Sequence, residues 1–104
     1  MHFIFSEGET EYVVNSPKEF TSQCHDEFKE LLGQCDFSKT PTLRIDFTAT
    51  EFIDSRSIGI LLYAKSVANE EGGKIVLSSP YGKVKKMFEV SKFDELFEII
   101  ESQE

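Results

Sequence analysis

Hydrophobic and polar positions alternate along several short stretches of the chain and predict strands there. Residues 3–5 and 11–14 are apolar-rich segments on either side of Gly8, a pattern typical of a hairpin whose strands are joined by a turn. Residues 42–47 alternate strictly between apolar and polar side chains, which is the clearest strand signal in the sequence. Residues 74–78 form a further short run that predicts a strand.

Apolar side chains recur at helical spacing in three other stretches. The Ser-Pro pairs at 16–17 and 79–80 each combine a capping serine with proline at the first helical position, and so predict the starts of the first and third helices. The Asp-Ser pair at 54–55 predicts the start of the second helix, which the Gly-Gly pair at 72–73 ends. Residues 93–100 predict a short helical turn and a last extended segment.

The order of these elements predicts an α/β fold. Strands that alternate with helices of ten or more residues are joined as parallel pairs by crossover connections. Together with the hairpin, this predicts a small mixed β-sheet packed against about four helices. The length of 104 residues fits one domain over residues 1–104. This architecture hosts many functions, so it assigns none by itself.

The excess of acidic over basic residues disfavours some classes of binding partner. Eleven Lys and Arg residues stand against 19 Asp and Glu residues, which gives a net charge of -8. A negative field of this kind disfavours binding to nucleic acid and to anionic lipid. We therefore expect a protein partner with a basic or neutral patch; the sequence leaves self-association open.

Neither the cysteines nor the histidines predict a catalytic or metal site. Cys24 and Cys35 are isolated thiols without Cys-x-x-Cys spacing, a pattern typical of a reduced intracellular protein. His2 and His25 lie far apart in the chain, with no Ser-His-Asp arrangement and no glycine-rich phosphate loop. The apolar run at residues 1–5 is too short for a signal peptide or a bilayer span. We expect no enzyme activity, no cofactor, no direct membrane insertion and a cytoplasmic location.

From residue 43 to residue 99 the sequence resembles the STAS domain family, and in particular its anti-sigma factor antagonists. Each motif that carries the resemblance is common by itself, and their order along the chain makes the match specific. The motifs are Leu43-Arg44-Ile45-Asp46-Phe47, Phe52-Ile53-Asp54-Ser55, Ile58-Gly59, Gly72-Gly73, Ser79-Pro80, Val84, Phe88 and Phe93.

The resemblance implies a non-catalytic regulatory domain that binds a partner protein. It implies a sheet flanked by helices and phosphorylation of the serine that directly follows the aspartate, here Ser55, by a partner serine kinase. In the family's best-known members that kinase is also the anti-sigma factor, which the unphosphorylated domain binds, and a cognate phosphatase resets the cycle. Other members serve transport, so an accessory subunit of a lipid-transport or other membrane ATPase complex is the alternative.

The sequence departs from the family pattern at three places. Many antagonists carry a second small hydroxyl residue and then glycine after the acceptor serine, where this chain has Arg56-Ser57. The family's Gly-Glu-hydrophobic-Asp segment before the first helix is replaced by residues 14–17. The sequence stops soon after residue 99, so we expect the family's final helix to be shortened or missing.

A serine in the first turn of a helix suits a phosphorylation switch. Unpaired backbone N–H groups and the positive end of the helix dipole favour an added phosphate. The phosphate brings about -1.5 to -2 charges to a segment that already holds Glu51 and Asp54, enough to repel an acidic partner surface. The simpler interpretation is that Ser55 is an ordinary N-cap. Asp54 is likewise a cap, or an aid to the partner kinase, or both.

The remaining candidates for partner binding are Asp46, Arg56 and Ser57. Asp46 lies on the polar face of its predicted strand, where a solvated or hydrogen-bonded carboxylate is the simpler interpretation. Arg56 either pairs with the phosphate or contacts the kinase. Ser57 is a second candidate acceptor, but the motif position favours Ser55.

Overall fold

Seven strands and three α-helices organise residues 2–101, the part of the chain that the computed structural model describes. The strands are β1 (Ile4–Glu7), β2 (Glu11–Asn15), β3 (Glu19–Phe20), β4 (Thr42–Asp46), β5 (Phe52–Ile53), β6 (Lys74–Ser78) and β7 (Glu98–Ile100). The helices are α1 (His25–Gln34), α2 (Ser55–Glu70) and α3 (Gly82–Val90). Single 3-10 turns at Ser22–Cys24 and Phe93–Glu95 precede α1 and β7.

Five strands form one mixed sheet in the order β1-β2-β4-β6-β7. β1 and β2 are antiparallel, and their turn is closed by the N–H of Gly8, which donates to the carbonyl of Glu11 at 2.8 Å. β2, β4, β6 and β7 run parallel to one another. The predicted hairpin and the predicted central strands are therefore confirmed. β3 and β5 form a separate parallel pair, and β5 leads directly into α2.

The helices cover one face of the five-stranded sheet, and the hydrophobic core lies between them. Val14, Ile45 and Leu77 point inward from the three central strands and are buried in the same cluster as Phe28 of α1 and Leu61 of α2. Burial of a large apolar side chain contributes about 1.5–3 kcal/mol. This packing fixes the helices, and with them the residues at their ends, relative to the sheet.

The Ser-Pro pair at 16–17 does not open the first helix. The chain after it is extended, because Glu19–Phe20 pairs in parallel with Phe52–Ile53. A 3-10 turn follows, and α1 begins only at His25. Backbone pairing with a distant segment therefore overrides a local capping signal, as tertiary context often does with helix propensity.

The helix count and the start of the third helix also differ from the prediction. Among residues 2–101 there are three α-helices instead of about four, because the expected fourth closes only one 3-10 turn, Phe93–Glu95. The third helix begins at Gly82, beyond Pro80. Ser79 adopts a left-handed conformation with a φ of 57°, and its N–H donates to the carbonyl of Ile100 at 2.7 Å. The edge strand thus holds Ser79 in a loop.

Candidate functional site

The start of α2 brings four of the candidate site residues together. Asp54 is the N-cap: its backbone is extended, and its Oδ1 atom accepts a hydrogen bond from the N–H of Ser57 at 2.9 Å. Ser55 is therefore the first residue of the helix, and its interpretation as the cap is wrong. Ser55 and Arg56 are exposed, whereas Ser57 is buried.

The Asp54 carboxylate is held from two sides. Its second oxygen, Oδ2, accepts from the N–H of Ser22 at 3.3 Å, which joins α2 to the turn before α1. Partial burial works to raise the pKa of Asp54, but hydrogen bonds from Ser57 and Ser22 and the charge of His25 outweigh it and lower the pKa from its ordinary value. Asp54 is consequently ionised at neutral pH, directly before Ser55.

Ser57 is removed from solvent, and its hydroxyl is fully engaged. The residue is 0% exposed. Its Oγ atom donates to the carbonyl of Phe20 at 2.9 Å and lies 2.9 Å from Nε2 of His25. Because a carbonyl only accepts, the hydroxyl gives its proton to Phe20 and accepts from the Nε2–H of His25. This oxygen becomes accessible from solvent only if the contact between α1 and α2 opens.

His25 is a residue of this site that the sequence did not predict. It is the first residue of α1 and lies 32 positions before Ser57 in the chain, with no motif that links the two. The contact is a Ser–His pair, but a hydroxyl that donates to a backbone carbonyl is a structural tie and not an activated nucleophile. Only knowledge that β3 pairs with β5, which sets the two helix starts side by side, could have predicted it.

Asp46 makes its hydrogen bonds away from the start of α2. It ends β4 on the sheet face opposite the helices, where its Oδ1 atom accepts from the N–H of Thr48 at 2.8 Å. Its Oδ2 atom lies 3.4 Å from Nη1 of Arg44. The guanidinium of Arg44 also donates to the neighbouring strands, from Nε to Glu11 and from Nη1 to Ser78. The Asp46 carboxylate thus closes the turn after β4 and compensates the positive charge of the half-buried Arg44.

An accessible surface surrounds Ser55. Arg56 and Gly59 are exposed on α2, and Phe52 of β5, two positions before Asp54, keeps 43% of its surface exposed. Beyond the surrounding turns of α2, no atom lies within 4 Å of the position that a Cβ atom on Gly59 would take, so the helix backbone is open to approach there. A hydroxyl, a cation, an aromatic ring and a bare stretch of helix are together suited to contact with another protein.

The described residues contain no metal cluster and no membrane-spanning helix. Within residues 2–101 no group of three or more His, Cys, Asp or Glu side chains is arranged to hold an ion. None of the helices in that range combines the length and the apolar character that crossing a bilayer requires.

Burial, followed by the charges of Glu71 and Glu7, raises the pKa of the Cys35 thiol to about 11, so this cysteine is unreactive at neutral pH.

Acid is expected to remove the contribution of the Asp54 charge to stability. The pKa of Asp54 is lower in the folded chain than its ordinary value of 3.8, so the ionised group stabilises the fold above that value. The contribution is lost as the pH falls through the folded-state pKa. Asp54→Asn keeps a capping side chain but has no charge to lose.

Urea denaturation of both chains between pH 7 and about pH 3 measures this effect. We expect the parent chain's advantage over Asp54→Asn in free energy of unfolding to shrink below about pH 4. A difference that stays constant over the whole range would show that the charge of Asp54 does not stabilise the fold.

Comparison with known proteins identifies a family for this chain. The model of the STAS domain matches residues 8–104, nearly the whole sequence. The search of curated proteins found no match.

Solved structures with the same fold include two regulators and one transporter. An anti-sigma factor antagonist from Mycobacterium paratuberculosis is 18% identical, with a TM-score of 0.81 over 96% of this chain and 85% of that one. The Bacillus cell fate determinant SpoIIAA in its phosphorylated form is 17% identical, with a TM-score of 0.76 over 98% and 92% of the two chains. The murine anion transporter Slc26a9 is 20% identical, with a TM-score of 0.73 over 94% of this chain but 17% of the transporter. At these identities the likeness establishes the fold.

Proposed function

This chain belongs to the STAS domain family, and on that premise we propose that it is a non-catalytic, partner-binding switch that resembles an anti-sigma factor antagonist. The switch is phosphorylation of Ser55 by a partner serine kinase of the anti-sigma type, and a cognate phosphatase restores the binding form. The observation that carries the proposal is the contrast between two serines. Ser55 is exposed beside an ionised aspartate, whereas Ser57 is buried with its hydroxyl engaged.

A phosphate on Ser55 changes the surface without disturbing the helix. At the first position of α2 it meets the positive end of the helix dipole and unpaired backbone N–H groups. With the charge of Asp54 it brings the pair of residues to about -2.5 to -3. Arg56 is the adjacent cation that can pair with the phosphate. A partner that presents acidic groups to this surface is then repelled, and a partner that presents apolar groups binds less well because the phosphate would have to lose its water.

Asp54 has two roles in the proposed cycle. As the N-cap it holds the backbone that positions the acceptor hydroxyl, and its hydrogen bonds to Ser57 and Ser22 keep it there. As an ionised carboxylate next to the acceptor, it also offers a ligand to the metal of a bound kinase. Because the cycle consumes ATP and needs a kinase, the protein works in the cytoplasm.

Affinity purification from the native cell, followed by mass spectrometry, tests the switch. Tagged Ser55→Ala and Ser55→Asp chains are compared with Ser66→Asp, a matched control because Ser66 is an exposed serine on the same helix. We expect Ser55→Ala and Ser66→Asp to retain a serine kinase, and Ser55→Asp to lose it at least about tenfold. Loss in both aspartate variants, or in neither, contradicts the switch.

A second candidate function is an accessory subunit of a lipid-transport or other membrane ATPase complex, with Ser55 as a contact residue. It is favoured by one observation: the same fold occurs as a small part of the murine anion transporter Slc26a9. The same purification separates the two candidates. Transporter subunits retained equally by Ser55→Ala and Ser55→Asp would support the accessory subunit and overturn the switch.

A further inference from the structure

An acidic groove lies at the edge of the sheet formed by β7, and we propose that it binds a basic segment of a partner protein that also carries apolar side chains. The groove has a volume of about 570 Å³ and runs between α3 and residues 97–101. It is separate from the start of α2, and the inference does not depend on phosphorylation of Ser55.

Apolar side chains form the floor of this groove. Phe88 of α3 and Phe97 belong to the hydrophobic core, and Ile99 of β7 packs against that core while half-buried. β7 is the last strand of the sheet and has a neighbouring strand on one side only. Phe88 and Phe97 are only 2% and 7% exposed, so the apolar surface that the floor offers to an entering side chain is mainly that of Ile99.

Carboxylates dominate the rim. Its acidic residues are Glu89, Asp94, Glu98 and Glu101, and its one basic residue is Lys85. Glu98 is already paired with Lys74, which lies outside the groove, at 2.8 Å. Among the residues that the structure describes, no salt bridge within 4.0 Å involves Glu89 or Asp94. The groove thus combines an apolar floor with an excess of negative charge, and two of its carboxylates are available to an incoming cation.

The one cation of the rim is exchangeable. Lys85 forms an ion pair with Glu101 at 2.9 Å, and both side chains are about half exposed. Exposed pairs of this kind hold their partners weakly. An arginine or lysine of a bound segment can therefore replace Lys85 at Glu101 without breaking a strong contact.

Charge selects a basic protein segment over other occupants. A second copy of this chain would bring a net charge of -8 against the rim, and nucleic acid and anionic lipid are repelled in the same way. The groove at the opposite sheet edge, between β1 and α1, is also bordered by carboxylates, Glu27 and Glu30, so two copies do not complement each other edge to edge. A polyamine would use the rim but leave the apolar floor uncovered.

An NMR titration with three defined probes tests the inference. The probes are a synthetic peptide that alternates lysine with leucine, a peptide of equal length and charge that alternates lysine with glycine, and spermine. We expect the lysine-leucine peptide to bind at least about tenfold more tightly than the other two and to shift the backbone amides of residues 88–99. Failure of that peptide to bind, equal binding of the other probes, or shifts centred elsewhere would overturn the inference.

Charge-reversal variants separate a built groove from general attraction to an acidic chain. The double variant Glu89→Lys/Asp94→Lys is expected to weaken the lysine-leucine peptide at least about tenfold. The matched control, Glu70→Lys/Glu71→Lys, makes the same change in net charge at the far end of α2 and is expected to weaken it no more than about twofold. All four side chains are exposed, so both variants keep the fold. Equal weakening by the two variants would show that only net charge matters.

Discussion

Glutamate in place of Ser57 is expected to lower the free energy of unfolding by more than about 3 kcal/mol, whereas glutamate in place of Ser55 is expected to leave it within about 0.5 kcal/mol. At position 57 the new carboxylate is buried and faces the carbonyl of Phe20. The substitution also removes the hydroxyl that joined Phe20 to His25. At position 55 it is exposed at the positive end of the helix dipole, where negative charge is favourable.

Chemical denaturation followed by far-ultraviolet circular dichroism measures both variants, since the chain has no Trp to report by fluorescence. If Ser57→Glu does not fold, Ser57→Ala still allows the comparison. Its free energy of unfolding is expected to fall by about 1–3 kcal/mol, because the Nε2–H of His25 loses its acceptor and the carbonyl of Phe20 keeps only the N–H of Asp54 at 3.3 Å. Equal destabilisation by glutamate at the two positions would mean that burial does not distinguish the serines. A Ser57→Glu chain as stable as the parent would contradict the buried site directly.

Gly73→Ala is expected to destabilise the chain by about 2–3 kcal/mol. A Cβ atom there would stand 2.6 Å from the carbonyl oxygen of Pro41 and 2.6 Å from the Phe37 ring, which is 1% exposed. The carbonyl cannot retreat cheaply, because it accepts the N–H of Lys74 at 2.7 Å where β6 begins. The added methyl group must therefore push the start of β6 away from the core residue Phe37.

Gly59→Ala is the matched control for that substitution. Gly59 lies inside α2, and beyond the surrounding turns of that helix no atom lies within 4 Å of the position that a Cβ atom would take. Alanine is therefore expected to raise the free energy of unfolding by about 0.5–1 kcal/mol through its better helix propensity. Urea midpoints of the two variants should move in opposite directions. Equal midpoints would contradict the close packing of Gly73 against Phe37.

Local signals along the chain predicted much of the fold. Strict alternation predicted β4, and the Gly-Gly pair predicted the end of α2, where Gly72 has a φ of 81° and donates to the carbonyl of Asn69 at 3.1 Å. The N–H of Gly73 donates to the carbonyl of Ala68 at 2.8 Å, which completes a Schellman motif. The two glycines are required for different reasons: the first by its backbone conformation, the second by the space around it.

Contacts between segments that are distant in the chain could not be predicted from the sequence. The Ser-Pro pair at 16–17 has the form of a helix start, yet the pairing of Glu19–Phe20 with Phe52–Ile53 keeps that part of the chain extended. The same pairing places His25 beside Ser57, and this contact withdraws one of the two candidate acceptors from solvent. Position in a motif favoured Ser55 over Ser57, and burial is the physical difference between them.

Site-resolved mass spectrometry of the phosphorylated protein tests the central claim most directly. The chain is isolated from its native cell together with the kinase that binds it, and is incubated with ATP. We predict a single phosphate on Ser55, its loss in Ser55→Ala, and an unmodified Ser57. Phosphate on Ser57 or another residue while Ser55 stays unmodified would contradict the switch, as would a chain that its bound kinase leaves unphosphorylated.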